Sequence, residues 1–504
     1  MDAGNSIFLN SGKQVNIHDA KLDYKACVDK VNDYIAKQST DLYDNASASL
    51  SFAERRDSIM RYITEYISQH KPVISEFINP KNKQMDYERL SSRLIDEIVN
   101  YDILTDAMTD DDVTEIQINN GCVPGGIWVE RKGKTEKLRD PVTGEYLYWK
   151  TEEDVIKFIN NLLKFSKIQI NTTAALVNGT TIEGYRIAAT HSSATARSKG
   201  SLGRSPQCVI RKFSTTRLEL EDLVAGKSMS TDMAKFLSIL PKVNLTAAFC
   251  GSTGCGKTVM LQAMLRHAPH NKRIGLIQNP AEVDVSEIDE DGVEHRNFFS
   301  WEAKDLKGEE AKKSSSPTYI NMMNHALRST PELFVFGELR ANEEFALSMK
   351  AAASGHYFYT TFHAEDAEGA INRYTEAVMS ADGGGSEDLT IATIASHVRF
   401  IIVLRKLADG TRKCLSINEI CGVNKESGRA VPIINTIFKY FPDPNAERDE
   451  KGKLKGYHAQ VGTVSQRTKD DLILSGATPK DMAIINREVK GEPIICGYEI
   501  PEFD

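Results

Sequence analysis

The chain has no apolar run approaching the roughly 18 residues needed to cross a bilayer. Its longest apolar stretches, such as FIIVL at Phe400–Leu404, have the length of a strand, so no membrane span is expected. The opening MDAGNSIFLNSGKQ lacks a basic stretch followed by an apolar one, and no signal peptide is expected. Eight cysteines are scattered without one C-x-x-C pair, which disfavours a zinc ribbon and suits thiols in a reducing cytoplasm. Basic excess is missing as well. A net charge of −8 gives no general attraction to nucleic acid or anionic lipid, and aromatics interleaved with Lys and Arg for base stacking are absent. A guanine-reading N-K-x-D is missing too, since the nearest candidate, NKES from Asn424, lacks the aspartate. No Ser-His-Asp arrangement and no internal repeat stands out, and the HAPH of His267–His270 reads as an exposed helix end.

What is present is ordinary globular composition, 41% hydrophobic and 26% charged over 504 residues, enough chain for about two to four domains. Residues 1–100 read as a helical segment, with Tyr24, Cys27, Val28, Val31, Tyr34 and Ile35 recurring at helical spacing, as do Ile59, Met60, Ile63, Tyr66 and Ile67. Residues 101–222 change texture. VTEIQINN, GIWVERKG and YRIAATH are short alternating strands around the amphipathic helix EEDVIKFINNLLKFSK, giving a mixed α+β domain. Residues 223–232 read as a linker in which Ser230 or Thr231 caps the next helix. From 233 to 440 strands and helices alternate: LTAAFC, RIGLI, LFVFG, YFYTTF and RFIIVLR are buried-strand runs of a mostly parallel sheet with helices on both faces. Residues 441–504 read as a charged linker and a small C-terminal appendix.

Between the strand LTAAFC and the helix KTVMLQAMLRHA stands GSTGCGKT, which fits G-x-x-x-x-G-K-[ST] in the strand–loop–helix context that pattern needs. Its glycines let backbone N–H groups curl around phosphates at the positive end of a helix. Gly251, Ser252, Thr253, Gly254, Cys255, Gly256, Lys257, Thr258 and Val259 are therefore the candidate nucleotide-binding residues. Lys257 is expected on the β- and γ-phosphates of ATP and the Thr258 hydroxyl on Mg²⁺. The strand of PELFVFGELR ends at Glu338, where an acid can hold Mg²⁺ through water or polarise an attacking water; Arg340 follows. YFYTTFHAED places His363 after another strand, at the edge where ligands of open α/β sheets gather.

The order GSTGCGKT, IQNPAEV, FGELR and TTFHA, with the upstream VTEIQINNG, WVERKGK, YRIAAT and CVIRKFS, resembles the type II/type IV secretion ATPase superfamily. It is most similar to the CpaF-like motors of tight-adherence pili and the conjugation-type traffic ATPases. The likeness covers about Tyr101 to Tyr440. It implies an α/β fold: a RecA-like P-loop domain preceded by the α+β domain and the N-terminal helical segment. It further implies a homo-hexameric ATPase, cytoplasmic and peripheral at the inner membrane, held there by platform proteins of a pilus or secretion system rather than by direct lipid or nucleic-acid binding. Its ATP would lie between the two domains, and cleft closure would drive pilin or cargo. By the same resemblance Glu338 is the Walker B acid, His363 the histidine-box residue, and Arg186, Arg211 and with them Arg328 are arginines that approach the nucleotide. Two departures stand out. Gln278 and Asn279 occupy places where the family carries an acidic pair, leaving Glu282. This removes two charges near Mg²⁺, and so favours either slow hydrolysis with Glu338 as sole base or a nucleotide-gated scaffold that scarcely hydrolyses. A charged insertion, VSEIDEDGVEHRNFFSWEAKDLKGEEAKKSSS, reads as a surface loop.

Overall fold

The computed structural model describes residues 6–8, 14–16, 24–38, 52–79, 84–98, 101–196 except 142, 167 and 182, 204–212, and 217–503 except 305–312, 314, 382 and 427. Two compact units result, Met1–Thr215 and Thr216–Asp504.

In the first unit β1 (Ser6–Phe8) pairs antiparallel with β2 (Gln14–Asn16). Helices Tyr24–Gln38, Phe52–His70 and Tyr87–Ile98 follow. They bury Cys27, Val31, Ile35, Ile63, Ile67, Leu90 and Leu94 in one core, the outcome of apolar residues recurring every three or four positions. Strands β3 (Val113–Ile118), β4 (Ile127–Arg131), β5 (Lys134–Lys137), β6 (Leu176–Thr180), β7 (Arg186–Thr190) and β8 (Gln207–Arg211) form an antiparallel sheet in the order β5-β4-β3-β8-β7-β6. The helix Glu152–Leu163 buries Val155, Ile159 and Leu163 in the core that holds Ile116, Ile118 and Ile210. It begins with reciprocal bonds: Asp154 N–H donates to Thr151 Oγ1 at 3.2 Å, and Thr151 N–H to the Asp154 carboxylate at 3.1 Å.

The second unit is built on ten strands: β9 (Thr246–Gly251), β10 (Ile274–Gln278), β11 (Phe298–Glu302), β12 (Leu333–Phe336), β13 (Tyr357–Phe362), β14 (Val398–Lys406), β15 (Arg412–Glu426), β16 (Arg429–Pro442), β17 (Gly456–Gln460) and β18 (Ile494–Ile495). Their order is β11-β10-β12-β13-β9-β14-β15-β16-β17-β18. The six from β11 to β14 are parallel and the last four add on antiparallel. Strands β9, β10 and β12 are buried throughout, as expected of apolar runs covered on both faces. One face packs on helices Thr231–Ile239 and Lys257–Leu265 through Met233, Phe236, Met260 and Leu261. The other packs on helices Tyr319–Ala326, Asn342–Ala353, Ala367–Ala381 and Glu387–His397 through Met323, Phe345, Tyr374 and Ile394. This is the expected RecA-like α/β sheet, with β9 at its centre between β13 and β14.

Three stretches differ from their reading as connections. The expected linker carries the end of helix Leu220–Ala225 and the Ser230 cap of the next helix, and buries Val224 and Met229 in the core shared with the P-loop helix. The charged insertion holds β11, the sheet's edge strand; five residues flanked by charges give too short a pattern to reveal a parallel pairing with β10. Residues after Phe441 supply β17 and β18, and Leu472, Met482, Ile485 and Cys496 join the same core. Among the described residues no helix is long and apolar enough to cross a membrane.

His267 is likewise not an exposed helix end: its ring packs 4.4 Å from that of Phe503, and burial pushes its pKa down to about 4. His458, wholly buried on β17, lies 2.8 Å from Tyr498 Oη and 3.0 Å from Cys414 O, and burial lowers its pKa to about 4 as well. An unfolded chain protonates these rings near pH 6.5, so it binds more protons than the folded one between that pH and about 4. Stability is therefore expected to fall as pH drops through this window, by on the order of 3 kcal/mol for His458. Denaturant midpoints measured from pH 7.5 to 4 should show that slope, and His458→Gln should reduce it, leaving the share of His267.

Candidate functional site

Strand β9 delivers the chain into the phosphate loop at the carboxyl edge of the sheet. At Gly251, φ is +151° and a Cβ would lie 2.1 Å from Leu404 O, so no other residue fits. Gly256 sits at φ +94° where it opens helix Lys257–Leu265. Ser252 and Thr253 are exposed at the crown of the loop, Cys255 is buried beneath it, and Thr258 and Val259 are partly buried in the first helical turn. Lys257 is buried and bends back into the loop, its Nζ donating to Gly251 O at 3.0 Å and Ser252 O at 3.1 Å. An ammonium held there occupies a nest that N–H groups make favourable for anions.

Strand β12 ends just before Glu338, and β13 just before His363. Both therefore stand on the P-loop's edge of the sheet. His363 Nε2 lies 3.1 Å from Glu338 Oε1 and its Nδ1 lies 3.1 Å from Gly251 O. Each ring nitrogen thus faces an oxygen, one on the acid and one on the loop. Lys257 Nζ is 3.5 Å from Nδ1, closing a polar line from the loop to the acid. The other Glu338 oxygen accepts from Arg340 Nε at 2.8 Å and Nη2 at 2.5 Å. Burial pushes the Glu338 carboxyl up, but Arg340, with His363 and Lys257, outweighs it and holds the group below its ordinary pKa. It is a carboxylate at neutral pH.

The third part of the edge is the turn after β10. Thr258 Oγ1 donates to Glu282 Oε2 at 3.2 Å. Glu282 is held in place by Gln278, whose buried Oε1 accepts from Glu282 N–H at 2.9 Å and Val283 N–H at 2.7 Å while its Nε2 donates to Val283 O at 2.9 Å. Glu302 of β11 accepts from Ala281 N–H at 3.0 Å on the same turn. Gln278 is thus a bracket using both halves of an amide, not an acid lost from the metal position. Gln278→Glu cannot donate to Val283 O and buries a charge. It is expected to destabilise the fold by about 2 kcal/mol and not to raise turnover, as thermal unfolding and phosphate release will show.

Arg186 and Arg211 lie in the first unit, directly opposite each other across the β7–β8 pair, so that unit presents them side by side. Arg328 is exposed and lies five residues ahead of β12, at the amino edge of the sheet, away from the other site residues of the second unit. Sequence reasoning missed the Gln278 bracket and the support from β11, and it missed Arg412, whose Nε donates to Gly254 O at 2.8 Å. A G-K-T pattern signals the loop; nothing in the local sequence signals a strand some 150 residues away that braces it.

Among the described residues no group of three or more His, Cys, Asp or Glu side chains is placed to hold a metal alone. The Thr258 hydroxyl and Glu282 carboxylate are nonetheless hard oxygen donors side by side, which fits Mg²⁺ arriving with a nucleotide.

The chain is similar to several known proteins. An uncharacterised protein of Methanocaldococcus jannaschii is 25% identical over 295 residues, 58% of this chain and 49% of its own length. The type IV secretion system protein VirB11 of Bartonella quintana is 28% identical over 201 residues, 39% of this chain and 52% of its own. The chain thus spans about half the length of these curated relatives. The structure of the Legionella pneumophila ATPase DotB covers 63% of this chain and 79% of its own, at 20% identity and a TM-score of 0.41. The family model described as Type II/IV secretion system protein matches residues 109–441. That match takes in both the antiparallel sheet and the phosphate-loop edge, and the chain belongs to the type II/IV secretion system protein family.

Proposed function

We propose that the chain is an ATP-hydrolysing motor subunit of a pilus-like or secretion apparatus, of the CpaF-like or conjugation-type branch. One observation supports this reading above the rest: Lys257, Thr258, Glu282, Glu338 and His363, drawn from four strand ends, meet at one edge of one sheet. In this reading the loop N–H groups and Lys257 bind the phosphates. Glu338 accepts a hydrogen bond from the attacking water and orients it, and His363 ties that acid to the loop. Thr258 would hold Mg²⁺, with Glu338 and Glu282 acting through its water shell; when bound, the ion neutralises charge on the β- and γ-phosphates. Arg186 and Arg211 would approach the nucleotide from the first unit, as arginine fingers worth about 10³ to 10⁵ in rate. We further propose a homo-hexamer, cytoplasmic and attached to the inner membrane through platform proteins.

The test is steady-state phosphate release by protein of defined oligomeric state, with Lys257→Ala as background. Turnover that rises as rings form supports a motor. The second reading, a scaffold that binds ATP with little hydrolysis, has one observation in its favour: Arg340 and His363 engage both oxygens of Glu338. Rings that hold ATP tightly without releasing phosphate would establish it instead.

A further inference from the structure

Strand β14 runs parallel to β9, so the turn that follows it, residues 407–411, lies at the same edge of the sheet as the phosphate loop. It flanks the loop on the side away from β13 and β12, hence away from His363 and Glu338. Arg412, the first residue of β15, leaves this turn and donates its Nε–H to Gly254 O at 2.8 Å. Its Cδ lies 3.5 Å from where a Cβ on Gly256 would stand.

The base from which Arg412 reaches is rigidly held. Asp409 accepts from Thr411 N–H at 2.9 Å and Leu454 N–H at 2.6 Å, closing the turn. Lys413 Nζ donates to Lys227 O at 2.6 Å, and Cys414 N–H donates to Ser228 O at 2.8 Å. A side chain projecting from so fixed a base is pre-organised.

The loop binds anions through N–H groups that must point inward, and in a trans peptide the preceding carbonyl then points out. Gly254 O and Cys255 N–H share one such peptide plane. Gly254, at φ +71°, has no Cβ to fix its own side of that plane, so the bond from Arg412 adds to what the Cys255 side supplies. Cys255 N–H makes a long bond across the loop, 3.4 Å to Ser252 O, which a phosphate oxygen can replace.

We infer that Arg412 is a positioning residue for phosphate binding: by holding Gly254 O outside the loop it aims Cys255 N–H at the nucleotide. This rests on the nucleotide-binding reading above. The experiment is equilibrium titration of the full chain with a fluorescent ADP analogue and Mg²⁺, alongside steady-state kinetics, for wild type, Arg412→Ala and Arg412→Gln. Arg412→Ala should weaken binding about tenfold and raise KM more than it lowers kcat. Arg412→Gln keeps an N–H donor without the charge and should recover most of the affinity. Equal binding by wild type and Arg412→Ala overturns the inference, and so does an Arg412→Gln no better than Arg412→Ala. If Arg412→Ala fails to fold, Arg412→Leu against Arg412→Gln makes the same comparison with the stem's packing retained. Wild-type protein that binds no analogue overturns the nucleotide reading itself, a different result from loss in the variant alone.

Discussion

Lys257→Ala is expected to abolish measurable ATP binding, a loss of at least about 100-fold in affinity. The ammonium is buried in the loop and already bonded to two of its carbonyls, Gly251 O and Ser252 O. Its removal takes a full positive charge out of the loop and leaves both carbonyls without that donor. A phosphate chain entering the variant would meet N–H dipoles alone. Isothermal titration with ATP and Mg²⁺ reads the effect directly. Because the substitution lies at the first residue of helix Lys257–Leu265 and alanine is a strong helix former, the fold should persist, which circular dichroism can verify. Undiminished binding would remove Lys257 from the site.

Glu338→Gln should separate binding from turnover. The carboxylate lies beyond His363 from the loop, so nucleotide affinity should change little. Hydrolysis should fall by roughly 10² to 10³, the range lost when a group that orients or deprotonates the nucleophile is neutralised. The isosteric amide keeps the side chain's volume between Arg340 and His363. It presents an N–H to one of two donors that formerly faced a carboxylate oxygen, so its pairing is disrupted as well as its charge. Phosphate release under saturating ATP, set beside an affinity measured on the same preparation, distinguishes this outcome from a general loss of structure. Normal turnover would sink the assignment of Glu338 and shift attention to Glu282, which Thr258 already touches.

Much of this site was legible in the chain because each of its parts is local. A buried apolar run, a glycine-rich turn and a helix start are contiguous in LTAAFCGSTGCGKT, and the φ values at Gly251 and Gly256 show why glycine stands there. Glu338 and His363 were readable because the first follows the end of β12 after one intervening residue and the second directly follows β13, and parallel strands of a doubly wound sheet bring their carboxyl ends to one edge. The apolar faces that bring Tyr24, Cys27 and Val31 into one core with Ile63 and Ile67 were readable from helical spacing.

The supports of the site were not legible in this way. Gln278 looked like a missing acid because its residue type is local information, while its role depends on Val283 N–H and O turning back onto it. Strand β11 and residues 456–460 looked like loop and appendix because short strands among charges acquire their identity only from a partner distant in sequence: β10 for the first, β16 for the second. Arg412 carries no local signal, and acquires its partner Gly254 only because β14 and β15 fold back beside the phosphate loop. Residue type and spacing decide which groups carry chemistry, since a phosphate cradle or a strand-end acid needs those atoms in that order. Tertiary pairing, from the turn that folds back onto Gln278 to the Arg412 brace 158 residues from Gly254, decides what holds them in register, because such partners are chosen by topology and not by residue type.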